Sequence, residues 1–240
     1  MDWTDEGIVL TARKHGETSA VVSLLTRDHG RHPGLVRGGA GKRARSTLQP
    51  GNRVQARWRA RLADHLGTYT LELEAASGAA FLDDRHKLAG LTAALSVAET
   101  SLPEREPHQA VHEGLTNLLT QLAGDAWPAV YVRWEVALLT DLGYGLDLSR
   151  CAATGEDKDL IYVSPKTGRA VSRAAGKPYC DRLLPLPGFL MPGGDDFAPS
   201  DVANGLRLTR HFLEQHVYSH RDRGLPPARL RLEELFNSRH

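Results

Sequence analysis

This sequence predicts an α+β chain, a small five-stranded β-barrel followed by a helical domain, on three observations. Short runs of alternating apolar residues, divided by turn signals at near-regular spacing, fill residues 1–79. After Ser77-Gly78 the apolar period lengthens to that of helices. Residues 151–181 then break the helical period, so the expected division is a barrel at 1–79 and a helical domain at 80–240 interrupted by 151–181.

In the barrel, EGIVLTARKH and TSAVVSLLTR read as two strands joined at His15-Gly16-Glu17. Asp28-His29-Gly30 is the next turn and RHPGLVRGG the third strand. AGKRARSTLQPGN is rich in glycine and charge and reads as a loop with room for one helical turn. RVQARWRARL is the fourth strand, 64–67 a turn, and TYTLELEA the fifth. Five such strands fit a closed or partly closed barrel, and an SH3-like barrel fits nearly as well.

Five helical segments follow. Leu88, Leu91, Leu95 and Ala98 share one face, with Asp83 or Asp84 as N-cap and Pro103 after the end. A second helix starts near Pro107 and carries Val111, Leu115, Leu118, Leu119 and Leu122. The third starts at Trp127-Pro128, carries Val130, Trp134, Leu138 and Leu142, and ends on Gly143. Residues 151–181 read as loops around a short hairpin, and helical spacing returns at 199–220 and 227–236.

The bulk numbers exclude several classes. The N-terminus has early acids and no basic, apolar leader, and no apolar run approaches the ~20 residues of a membrane-spanning helix. Two cysteines do not make a disulfide scaffold, so a cytoplasmic protein is expected. The net charge of +1 hides an asymmetry. Arg27 to Arg61 holds ten Lys/Arg and one acid, a local +9, so the remainder carries −8.

Catalytic and metal motifs fail on spacing. In VRGGAGKR a P-loop would need glycine at Val36 and Ser or Thr at Arg43. His216 and His220 are four apart, but Val217 stands where a zincin needs Glu. Asp83-Asp84 and Asp195-Asp196 precede helices and read as caps. Cys151 and Cys180 each lack the second member of a C-x-x-C pair, with Thr154 in one partner's place. No catalytic residue, metal or cofactor is expected.

The basic segment survives this screen. Arg37, Lys42, Arg43, Arg45, Arg53, Arg57, Arg59 and Arg61 contain no acid between them, and alternation puts Arg53, Arg57, Arg59 and Arg61 on one strand face. Phosphates would relieve that repulsion through counterion release, so these eight are the candidate DNA contacts. The competing reading is a solvated strand neutralised by Glu72 and Glu74 on a neighbouring strand. Trp58 alternates onto the core face, and Tyr69 is undecided. With few aromatics in view, contact with a single-strand backbone is expected rather than base readout.

The chain resembles the RecO family of bacterial recombination mediators nearly end to end. The resemblance is carried by EGIVLTARKHGETSAVVSLLTRDHGRHPGLVRGGAGKRARSTLQPG, by RWEVALLTDLGYGLDLSRCAATGE around its LGYG turn, and by VSPKTGRAVSRAAGKPYCDRLLPLP. It implies an OB fold joined to a helical domain with a zinc-finger-like insertion. It also implies binding of single- and double-stranded DNA, strand annealing, interaction with RecR, and recognition of the acidic tail of single-strand DNA-binding protein to help load RecA. The insertion departs from zinc-bearing members, which carry two cysteine pairs. An acidic peptide ending in apolar residues needs an apolar pocket with a basic rim, and Arg133 beside Trp134 is the candidate. An RNA-binding or protein-interaction module is the alternative, and a nuclease using Asp195 and Asp196 a more distant one.

Overall fold

The computed structural model describes residues 1–77, 81, 83–219 and 224–237, without the side chain of Arg43. Residue 79, the expected domain boundary, and His220 lie outside the described residues. Two compact units occur, Met1–Ala123 and Gly124–His240. The first thus includes three helices besides the strands.

In that unit β1 (Asp2–His15), β2 (Ser19–Thr26), β3 (Gly30–Val36), β4 (Arg53–Arg59) and β5 (Thr68–Ala75) close a barrel in the order β1-β2-β3-β5-β4. β1 begins four residues earlier than its apolar pattern suggests. A register shift between Val9 and Thr11 lets its first half pair with β4 and its second half with β2. Closure is the short parallel pairing of Leu35 with Thr68 and Val36 with Tyr69. The inward residues Val9, Val22, Leu24, Val54, Ala56 and Trp58 are buried. Trp58 donates its indole N–H to Leu66 O (3.0 Å). Gly67 permits this approach: its φ is +64° and a Cβ there would stand 2.4 Å from the indole. The loop after β3 contains one short helix, α1 (Lys42–Thr47).

β2 is apolar on both faces because both are covered. α2 (Arg85–Ser101) packs against β1 and β2, and Ser23 Oγ donates to Glu99 Oε2 (2.6 Å). Asp84 caps α2, accepting from His86 N and Lys87 N at 3.0 and 3.1 Å. α3 (Gln109–Gln121) buries Val111, Leu115, Leu118 and Leu119 as its spacing predicts.

The second unit is built on α4 (Trp127–Asp141), α6 (Pro199–Phe212) and α7 (Pro227–Asn237), with a π-helical turn at Leu213–Val217. Gly143 ends α4 at φ +86°. Residues 151–181 contain the expected hairpin, β6 (Leu160–Val163) with β7 (Ala170–Ser172), followed by α5 (Arg173–Gly176). β8 (Leu184–Pro185) adds a third strand in the order β7-β6-β8. Asp195 and Asp196 do not cap α6. Asp201 does, accepting the Ala198 N–H at 2.9 Å.

The centre of this unit is charged. Arg229 on α7 and Glu135 on α4 are both fully buried. Arg229 donates to Glu135 Oε1 and Oε2 (2.6 and 3.0 Å), to Leu206 O (2.7 Å) and to Thr209 Oγ1 (3.1 Å). Burial alone would lower the Arg229 pKa, but the Glu135 charge beside it raises it. Tyr131 OH and Thr209 Oγ1 donate to the same carboxylate.

Candidate nucleic-acid interface

The eight expected cations divide by what their neighbours supply. β1 lies beside β4 with Asp2 opposite Arg59 and Thr4 opposite Arg57. Asp2 Oδ2 therefore reaches Arg57 Nη2 and Arg59 Nε, both at 3.6 Å. Arg53 Nη2 lies 3.8 Å from both Glu6 and Glu74. The strand face is thus a mixed-charge ladder, with acids from β1 (Asp2, Glu6) as well as from β5 (Glu74). The strand ends at Arg59, so Arg61 belongs to the following turn. These pairs are largely exposed and each is worth at most about 1 kcal/mol, so phosphate can displace them.

Arg37, Lys42, Arg45 and Arg61 are exposed and have no ion-pair partner among the described residues. The first three surround α1, and two depressions share that helix. One, of about 700 Å³, is lined by Arg37, Thr47, Leu48, Arg59, Thr70 and Leu71. The other, of about 310 Å³, is lined by Lys14, Ala40, Arg45, Leu48, Gln49 and Pro50. The loop and the β4 strand therefore do share a surface, and they meet at Arg37 and Arg59. Lys14 joins that surface although the sequence reading omitted it. Its signal was the Arg13-Lys14 pair at the end of β1, a strand it shares with acids. Arg43 adds to the same sequence run, its side chain outside the described atoms.

The aromatics resolve as follows. Trp58 is core, and so is Tyr69, whose hydroxyl donates to His32 O (3.2 Å). Neither offers a ring to this surface beyond the edge of Tyr69 lining the larger depression.

In the second unit Arg133 and Trp134 part company. Trp134 is 3% exposed and belongs to the core, which corrects its assignment to a partner site. Successive residues on a helix point about 100° apart, so burying one turns the other outward. Arg133 donates from Nε and Nη2 to Phe189 O (3.0 and 2.9 Å) and from Nη2 to Gly194 O (2.7 Å). Asp195 Oδ1 lies 4.0 Å from Arg133 Nη2, the one acid in ion-pair reach of it among the described residues. Arg133 and Asp195, with Val136, Phe189, Leu190, Met191 and Pro192, line a depression of about 430 Å³, apolar on one side and carrying this charged pair on the other.

Cys151 is buried, and its Sγ accepts the Ser172 N–H at 3.3 Å. Burial pushes the thiol up, but hydrogen bonds from Ser172 and Thr154 outweigh this and lower it to about 6. Cys180 is exposed and donates to Asp181. A donor set of two unpaired thiols does not fit a zinc ion, which wants four ligands. Among the described residues no cluster of three or more His, Cys, Asp or Glu suits a metal, and no helix is long and apolar enough to cross a membrane.

Two family models match the chain, and they part between 76 and 82 rather than at the 123/124 boundary of the compact units. Residues 1–76 match the family model of the recombination protein O N terminal region, and residues 82–225 that of its C terminal region. The chain is 50% identical over 242 residues to the DNA repair protein RecO of Rhodospirillum centenum, covering 100% of this chain and 96% of that one. It is 54% identical over 233 residues to the DNA repair protein RecO of Phenylobacterium zucineum, covering 96% and 95%. Against the DNA repair protein RecO of Caulobacter vibrioides it is 53% identical over 231 residues, covering 96% and 95%. The chain belongs to the RecO family of DNA repair and recombination proteins.

Proposed function

We propose that this chain is a non-catalytic recombination mediator whose barrel, an OB fold in strand order, binds single- and double-stranded DNA by its phosphates. The observation that carries this reading is the group of unpaired cations around α1: Arg37, Lys42 and Arg45, extended by Lys14 and Arg59 across two adjoining depressions. Fixed like charges without counter-charges gain most from a polyanion. Arg53, Arg57 and Arg59 already have acids and contribute less. In this reading the protein anneals complementary strands and acts with RecR to load RecA onto DNA coated by single-strand DNA-binding protein. It works in the cytoplasm on nucleoid DNA.

The depression at Arg133 is the proposed seat of the acidic tail of single-strand DNA-binding protein. Met191, Pro192, Leu190 and Val136 take an apolar terminus, and the Arg133 edge takes a carboxylate in place of Asp195. Residues 151–181 form a zinc-finger-like insertion that holds by backbone bonds, such as Cys151 N to Glu156 O (2.7 Å) and Ala152 N to Ala170 O (2.8 Å). Incubating labelled DNA with the protein and magnesium tests the absence of catalysis. Cleavage that disappears in the Asp195→Asn/Asp196→Asn variant would overturn the mediator reading. Matched DNA and RNA strands in competition test the choice of nucleic acid.

A further inference from the structure

We infer that the barrel holds a stacking position for one unpaired nucleobase, at the exposed face of His29. The inference rests on the DNA reading above and adds to it a contact that reads a base rather than a phosphate. Trp3, Trp58 and Tyr69 lie in register across β1, β4 and β5, at inward positions of the barrel. Next to them a cavity of about 570 Å³ is lined by Trp3, His29, His32 and Trp58, with Arg105 and the acids Asp2 and Asp28. Its size is that of small-molecule sites, which run about 300–1,000 Å³.

The rings form a column. Trp58 and Trp3 stack at 5.6 Å and 18°, and Trp3 and His29 stack at 4.1 Å and 10°. His32 closes the side edge-on, 4.8 Å from Trp58 and 5.1 Å from Trp3. The column ends at His29, whose side chain is 35% exposed. Asp5 Oδ2 lies 2.9 Å from His29 Nδ1 and also accepts the Asp28 N–H, so the ring is fixed in plane. A platform held this way loses little freedom when a base adds to it.

The cavity also carries a cation in a costly arrangement. Arg105 sits at φ +62°, a conformation rare for a residue with a Cβ, and its N–H donates to Arg31 O at 2.8 Å. Its Nη2 donates to His65 O (3.0 Å), while its Nε is buried without a hydrogen-bond partner. Such an outlier beside a cavity points to function rather than to packing. His32 contributes no charge at neutral pH, because burial first and the charges of Arg105 and His29 next lower its pKa to about 4. Arg105 is the cation of the lining, and Asp2 and Asp28 line the same cavity, so the site is of mixed charge and its selectivity is for a flat ring. A nucleobase extends the ring column at His29, and a single-stranded nucleotide supplies one.

The test compares an oligothymidine with an abasic oligonucleotide of equal length, binding the full-length protein. Base stacking is worth a factor of about 5 to 150 per position. The wild type should bind the thymidine strand tighter by that factor and show tryptophan quenching from Trp3 and Trp58, with none from the abasic strand. His29→Ala should reduce thymidine affinity to the abasic level and leave the salt slope unchanged, and His29→Phe should restore the preference. Equal affinity of the wild type for both strands, with a normal salt slope, would overturn the base site while the DNA reading stands. A wild type that binds neither strand would overturn both.

Discussion

Replacing Arg229 with methionine should destabilise the second unit severely. The guanidinium makes four hydrogen bonds to Glu135, Leu206 and Thr209 and lies 3.3 Å from Glu233, all in a dry interior. Without it Glu135 remains fully buried, holding only the Tyr131 and Thr209 hydroxyls at 2.9 and 2.5 Å. Removing one partner of a buried ion pair costs about 3–5 kcal/mol, chiefly because the other charge stays behind. For a unit of this size each kcal/mol moves Tm by about 3–5 °C, so Arg229→Met should lower it by roughly 10–20 °C. Thermal unfolding followed by near-ultraviolet circular dichroism measures this. The double variant Arg229→Met/Glu135→Leu leaves no buried charge and should recover part of the loss. A single variant within about 3 °C of wild type would refute the view that α7 is latched to α4 by this pair.

Three further outcomes are expected. Folded His32 has a pKa of about 4 against an ordinary value near 6.5, so the unfolded chain binds the extra proton between those values. Its contribution, up to about 3 kcal/mol, is complete above pH ~6.5 and is lost as pH falls toward 4. His32→Phe should flatten that decline in urea midpoints measured between pH 7 and 4, and an unchanged decline would contradict the assignment. Gly67→Ala adds a Cβ 2.4 Å from the Trp58 indole at a φ of +64°, and should cost about 2–5 kcal/mol in urea unfolding. Arg133→Ala removes the bonds to Phe189 O and Gly194 O and should weaken an acidic-tail peptide about 10- to 100-fold by calorimetry. Its single-strand DNA affinity should not change.

What local pattern could and could not show follows from how far each feature reaches along the chain. Strand alternation needs only neighbours, so Trp58 and its apolar companions fell on the buried face as expected. Helix stripes and the Gly143 end are likewise local. Counter-charges for β4 are not, because Asp2 and Glu6 meet Arg59, Arg57 and Arg53 only through the register of β1 against β4. The first residues of β1, DWTDE, look unlike a strand because their outward positions are those acids. The loop cations were legible as a run, but their union with Arg59 depends on barrel closure at β3 and β5. Arg133 and Trp134 misled by adjacency, since helix geometry separates what sequence places side by side. The Glu135–Arg229 pair spans 94 positions and left no local trace.

The central claim is that phosphates are met by the unpaired cations around α1 rather than by the arginine ladder of β4. Salt titration of single-strand DNA binding tests it most directly. Each phosphate contact contributes about 0.7 to the log–log slope for single strands. Arg37→Ala/Lys42→Ala/Arg45→Ala should therefore lower the slope by about 2, with unfolding curves unchanged. Arg53→Ala/Arg57→Ala should lower it by less than about 0.7. The reverse order, a flat response around α1 and a large one on β4, would contradict the account.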